Sequence, residues 1–274
     1  MNHPQIAAFA RLAKENTLPT RALEGQKTQI SRTMHALAYD AIHDEIIVNS
    51  PLAQAILIFR GGANGEEPPL RVIQGPKTQI QGTDYDGNDQ MAYDDVHGEI
   101  YIPSDRNKIL TFSREQNGDV APIRVLGGSN TGIRGSTRGH ARVGVDPVHN
   151  LLIVTSPAAP GSSDGASMLI FDRTANGNVR PKSVIQGPLT QVGGGSAAHA
   201  ASDKGFIIAG CGASSICAWS INDKGNISPR SRIPVQQITG VAPSGIALNP
   251  KDKEVIVTSG NRNRVMTFSW PEVF

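Results

Sequence analysis

Three observations predict an all-β protein, a five-bladed β-propeller of four-stranded antiparallel blades with its ring closed by an N-terminal strand. A β-rich unit recurs five times, marked by an Asp or Asn at positions 40, 94, 146, 203 and 249. Short apolar runs within each unit are parted by Gly, Asn, Asp and Pro, with 29 Gly and 18 Pro in 274 residues. The segment Arg21–Ile30 parallels Arg71–Ile80, as a fourth strand carried at the other end of the chain would. A four-strand unit recurring every ~40–50 residues is the signature of a propeller.

The unit is clearest in Met91–Gly127, with runs Met91–Tyr93, Glu99–Ile102, Lys108–Phe112 and Ile123–Leu126. Such runs bounded by turn residues read as strands, and Asn117-Gly118 is a hairpin signal. A lone meander leaves one face wet, so copies must pack on one another. The first copy has His35–Asp40, Glu45–Val48, Ala55–Phe59 and Leu70–Gln74. The third has Arg142–Asp146, Leu151–Val154, Met168–Phe171 and Lys182–Gln186. The fourth has His199–Asp203, Phe206–Ala209, Ile216–Trp219 and Ser231–Gln236. The fifth has only Gly245–Asn249, Glu254–Thr258 and Arg264–Phe268.

Residues 20–25 are expected to supply the absent fourth strand and so remove an exposed edge. Met1–Pro19 is then a degenerate extension of a single domain spanning residues 1–274. Ile6–Phe9 also matches a third strand, because Phe9 precedes Gly25 as Phe59 precedes Gly75. A sixth, incomplete blade or a strand swapped between molecules stays open.

The net charge of +2 gives no field suited to nucleic acid. No apolar run reaches the ~18 residues of a membrane span. The N-terminus lacks the apolar core of a secretion signal. Cys211 and Cys217 make no disulfide framework, which points to a reducing, cytoplasmic setting.

Gly245-Ile-Ala-Leu-Asn-Pro250, Gly98-Glu-Ile-Tyr-Ile102 and Asn107-Lys-Ile-Leu-Thr-Phe112 resemble the NHL repeat and the gluconolactonase-like propellers over nearly the whole chain. That resemblance implies the fold. It leaves activity open, because the group includes lactonases, lyases, synthases and interaction domains.

In an up-and-down meander, the links from fourth to first strand and from second to third share one face. Here they are long and varied, as functional loops on a rigid scaffold are. His35, His140 and His199 begin innermost strands at that face, where blade two has Asp89. Converging imidazoles with a carboxylate suit zinc, iron or another divalent metal. The resemblance points the same way, since such enzymes hold a catalytic metal in the channel. Asp89 is expected as fourth ligand or general base, and Arg142 as the group orienting a substrate anion. Arg138, Asp105, Cys211 and Arg262 complete a substrate site for a polar or anionic small molecule.

The expected function is a hydrolase, lyase or isomerase without a nucleotide cofactor. The alternative is a non-enzymatic propeller scaffold for protein or small-ligand binding. His43, His97 and His149, each three residues after an Asp, read as turn residues whose carboxylate satisfies turn amides. Gly75-Pro76-Lys77-Thr78 lacks the spacing of a phosphate loop and recurs between blades, so it reads as architecture.

Overall fold

In the computed structural model the protein is an all-β, five-bladed propeller. Residues 5–31, 36–50, 52–81, 91–105, 107–135, 141–193, 197–212, 214–259 and 262–274 are described. Blade one is β3 (Ala36–Asp40), β4 (Glu45–Ser50), β5 (Ala55–Arg60) and β6 (Arg71–Gln74). Blade two is β7 (Ala92–Asp94), β8 (Glu99–Ser104), β9 (Lys108–Ser113) and β10 (Arg124–Gly127). Blade three is β11 (Arg142–Asp146), β12 (Leu151–Ser156), β13 (Ser167–Asp172) and β14 (Ser183–Gln186). Blade four is β15 (His199–Ala201), β16 (Phe206–Cys211), β17 (Ser215–Ser220) and β18 (Ser231–Ile233). Each is a four-stranded sheet in chain order, and blade five has β19 (Gly245–Asn249), β20 (Glu254–Ser259) and β21 (Arg264–Ser269). The chain divides into two compact units, Met1–Asp105 with Leu110–Ile123, and Arg106–Ile109 with Arg124–Phe274.

Two elements differ from expectation. The run Ser231–Gln236 is a strand only to Ile233, and Val235–Thr239 forms a short helix, α1. Pro234 lacks the amide that another ladder bond would require. The N-terminal strand β2 (Arg21–Glu24) pairs with β1 (Gln5–Ala8) in a two-stranded sheet, while β19–β21 form a sheet of three. Residues 1–19 therefore contain a strand. The register explains the choice of partner. Ile6 stands opposite Leu23, as Ile56 stands opposite Ile73 in blade one. Thus β1 and β2 pair in the register of a third and a fourth strand, as the Phe9–Gly25 spacing allows.

Fourth strands are latched by the next hairpin turn. Gly65 gives its amide to Ala22 O and takes Glu24 N on its own carbonyl. Gly118 does the same with Val72 and Gln74. Asn64 and Asn117 add side-chain acceptors for Ala22 N and Val72 N. Gly177 and Asn176 repeat the pattern on β10. After each such strand, Gly-x-x-Thr makes a tight turn. Thr78 Oγ donates to Gly75 O at 2.7 Å and accepts from Ile80 N at 3.2 Å. Thr28, Thr131 and Thr190 make equivalent bonds, so the recurrent Gly-x-x-Thr is architecture.

The core lies between neighbouring sheets. Ile153, Met168, Ile170 and Ile185 of blade three meet Ile207, Ala209, Cys217 and Trp219 of blade four. Burying each such large side chain contributes ~1.5–3 kcal/mol before chain entropy is counted. Strand alternation fixes this register, since a one-residue slip would turn the whole set outward.

Candidate functional site

Among the described residues, two polar constellations and one cavity stand out. The first constellation lies at the turns between first and second strands. Asp40 is fully buried and accepts from Ile42 N, His43 N, His43 Nδ1 and Tyr93 OH. Burial works against its charge. The hydrogen bonds from Tyr93 and His43 prevail, and the carboxyl sits below its ordinary pKa. Burial and the same Asp40 bond push the Tyr93 phenol up. Asp94–His97 and Asp146–His149 repeat the pair, each with its backbone bond at 3.0–3.1 Å and ring bond at 2.8 Å. The carboxylate satisfies turn amides, as the sequence reading holds.

Glu45 forms the second constellation. Arg71 Nη2 donates to both its oxygens at 2.6 Å, and Arg114 Nη1 to one at 3.0 Å. Arg71 Nε also donates to the Arg114 carbonyl. All three are tied to one another and to the backbone, which makes this a strut between sheets.

Of the expected metal site, His35, Asp89 and His140 lie outside the described residues, as does Arg138 of the substrate set. His199 begins β15, opposite Ile208. Burial alone lowers its pKa from 6.5 to about 4, so the imidazole is neutral at pH 7. Arg142 begins β11 opposite Thr155 and is half-buried. Asp105 follows β8, half-buried, at φ 46°. Arg262 is exposed just before β21. Among the described residues, no three His, Cys, Asp or Glu side chains gather as a metal site would require.

Cys211 carries no free thiol. It is joined to Cys217 across β16 and β17, with Cα atoms 5.8 Å apart. The two lie diagonally in the ladder, Cys211 opposite Ser215 and Cys217 opposite Ala209. This pairing rules out Cys211 as a resting nucleophile and removes the ground for expecting a reducing compartment.

Cys211 does line a cavity of ≈ 210 Å³, with Gly193, Gly210, Ser214, Ser215, Pro243, Ser244 and Ile246. Its wall depends on close backbone approach. Gly193 N donates to Gly210 O at 3.0 Å, and a Cβ on Gly193 would stand 2.9 Å from that oxygen. Gly212 N donates to Gln191 O, fastening the loop on the other side. Arg232 Nη2 spans Gly212 O and Ser215 Oγ at 3.0 and 2.8 Å, bracing the turn. In the sequence Gly193 reads as part of a Gly-rich loop, and Ser244 as the blade-five counterpart of the positions of His35, His140 and His199. The Cys spacing, with Gly212-Ala213-Ser214 between two strands, was the available signal that both sulfurs meet.

No family model matches the chain. No curated protein matches it either. Solved structures do. One, "Crystal Structure of Mitotic Checkpoint Complex", is similar at TM-score 0.57 and 12% identity, over 91% of this chain and 66% of that one. The "Myceliophteria thermophila Cps50 (Swd1) beta-propeller domain" is similar at TM-score 0.53 and 11% identity, over 88% of this chain and 67% of that one. This chain thus spans about two thirds of the length of each. At such identities the likeness is one of fold, and nothing in it is specific to NHL or gluconolactonase-like proteins.

Proposed function

We propose that the protein is a non-enzymatic propeller scaffold whose blade-four cavity takes a small, neutral, polar molecule. The observation that carries this is the lining itself. Glycines, serines, a proline, an isoleucine and an oxidised cysteine surround the space. None of these side chains carries a proton to and from a substrate near pH 7, and the one sulfur is already bonded. General acid–base and nucleophilic catalysis need such groups, whereas hydroxyl and backbone dipoles suffice for binding. Arg232 is committed to Gly212 O and Ser215 Oγ, which favours a neutral ligand over an anion. At ≈ 210 Å³ the space is below the ~300–1,000 Å³ of drug-sized sites, so the ligand is the size of a short polyol or simple amide. The neighbour solved as a complex accords with a scaffold role.

The test is ligand-observed NMR with a panel of three- to six-carbon polyols and small amides. At least one should bind saturably to the native protein and lose binding in Ser244→Phe, whose melting temperature should stay close to native. A panel that binds neither protein, or both equally, removes the reading.

A second reading, a metal-dependent hydrolase, lyase or isomerase, is favoured by His199. A neutral imidazole is the form that ligates zinc or iron. Its partners would be His35, His140 and Asp89. Elemental analysis of protein purified without added metal distinguishes the two readings, since the scaffold reading expects no stoichiometric metal and the enzyme reading expects about one equivalent.

A further inference from the structure

We propose that Cys211 is a site of reversible modification by a low-molecular-weight thiol. The two sulfurs of the blade-four disulfide are not equivalent. Both belong to the core between blades three and four, but Cys211 also lines the cavity and retains 7% exposure, while Cys217 retains none. An incoming thiolate therefore meets Cys211 Sγ. Exchange proceeds at the sulfur that can be reached, provided the other can leave.

The repeat supplies an independent argument. Cys211 ends the second strand of its blade, where blades one, two and three have Ser50, Ser104 and Ser156. Those hydroxyls hold the neighbouring loop. Ser50 Oγ bonds Ser31 Oγ, Ser104 Oγ donates to Gln79 O, and Ser156 Oγ accepts from Arg134 N. In blade four backbone bonds hold the equivalent loop, through Gly193 N to Gly210 O and Gly212 N to Gln191 O. The sulfur is thereby relieved of the serine's task. It can change partner without releasing the loop.

The disulfide also joins strands that are already paired. Six residue pairs hold β16 to β17, and the cysteines are six residues apart. A loop this short gains less from cross-linking than a long one, so opening it leaves the sheet standing.

The chemistry balances as two exchanges. A thiolate RS⁻ bonds to Cys211 Sγ. The Cys211–Cys217 bond breaks, its electron pair passes to Cys217, and that sulfur takes up the proton that RSH gave up in the cavity. A second thiolate then bonds to the RS sulfur, the RS–Cys211 bond breaks with its electron pair passing to Cys211, and that sulfur is protonated, giving RSSR and the Cys211 thiol. Two thiols are oxidised to one disulfide as the protein disulfide is reduced. A cavity of ≈ 210 Å³ accommodates RSH on the scale of free cysteine. The proposal is independent of any resident ligand of the cavity.

The test exposes folded native protein to excess cysteine, quenches with acid, alkylates, and maps the peptides by mass spectrometry. Cysteinylation is expected at Cys211, with Cys217 alkylated after unfolding in the same molecules. The rate should fall at least tenfold in Ser244→Phe, and at least tenfold when cysteine is replaced by a thiol-bearing protein. Should Ser244→Phe fail to fold, the comparison of cysteine with the protein thiol on native protein decides alone. Adduct at Cys217, adduct only in denaturant, or equal rates for small and large thiols would each overturn the assignment.

Discussion

The indole Nε1 of Trp219 is buried with no hydrogen-bond partner among the described residues. The same place holds Phe59, Phe112, Phe171 and Phe268 in the other blades. An unmet buried N–H costs ~1–3 kcal/mol, and the larger ring gains a comparable amount from apolar contact. Trp219→Phe should therefore change unfolding free energy by less than ~1 kcal/mol in either direction, measured by urea titration. A loss of ~3 kcal/mol would mean that the indole's volume is indispensable there. His199 makes an opposite kind of prediction, one that depends on pH. Its pKa is about 4 folded against 6.5 for the free group, so between those values the unfolded chain holds a proton the folded one lacks. Stability should be full above pH 6.5 and fall as pH drops towards 4, by ~3 kcal/mol at most. His199→Gln should flatten that part of the profile. A wild-type profile indistinguishable from the variant's between pH 4 and 6.5 would show that the imidazole is hydrated. Residue type alone announced the role of Asp40 and His43, because a polar turn has few physical uses for them. It did not announce which histidine would have its pKa lowered by burial, since that depends on what packs around it.

At the scale of the element, the latch between hairpin turn and fourth strand was legible only in part. The Asn-Gly signals marked the turns. What they missed was the next residue, Glu66, Asp119, Asn178 and Asn226 in four successive turns, each a side-chain acceptor. These take the amides of Gln26, Lys77, Asn130 and Leu189, which lie inside the tight Gly-x-x-Thr turns. Local patterning reveals a turn, but a bond across some forty residues shows only when two blades are laid side by side. The latch explains Gly75. Its φ is 134°, and a Cβ would stand 2.5 Å from the Asp119 carboxyl. Gly118, at φ 81°, has nothing within 4 Å of its would-be Cβ. Gly118→Ala should thus carry only backbone strain, ~1 kcal/mol, while Gly75→Ala should lose that and the Asp119–Lys77 bond as well, ~2–4 kcal/mol together. Equal midpoints in denaturant for the two variants would place the latch outside the folded state's energetics.

For the whole molecule, the period near fifty residues was enough to give blade number and strand order, because every blade repeats the same alternation and the same turns. The disposition of the N-terminal strands was not settled by it. Arg21–Glu24 carries a fourth-strand pattern, and two third strands, Gln5–Ala8 and Arg264–Ser269, have the alternation to receive one. Pattern cannot rank them, since it describes a strand's faces and is silent on its edge. The structure pairs β2 with β1, and Ile6 joins the cluster of Leu23, Ile30, Ile46 and Val48. Four backbone pairs and a partly buried isoleucine rest on this sheet. Removing residues 1–19 would take away β1, bare one edge of β2, and uncover part of Leu23. Losing the isoleucine's contact and its ladder should cost ~1–2 kcal/mol. At ~2–4 °C per kcal/mol for a chain of this size, the melting temperature should drop by ~2–8 °C. Ile6→Lys should reproduce much of that drop without shortening the chain, because it places a charge where the cluster needs an apolar face. If both proteins melted with the native one, residues 1–19 would be an idle extension and the pairing of β1 with β2 would contribute nothing to stability.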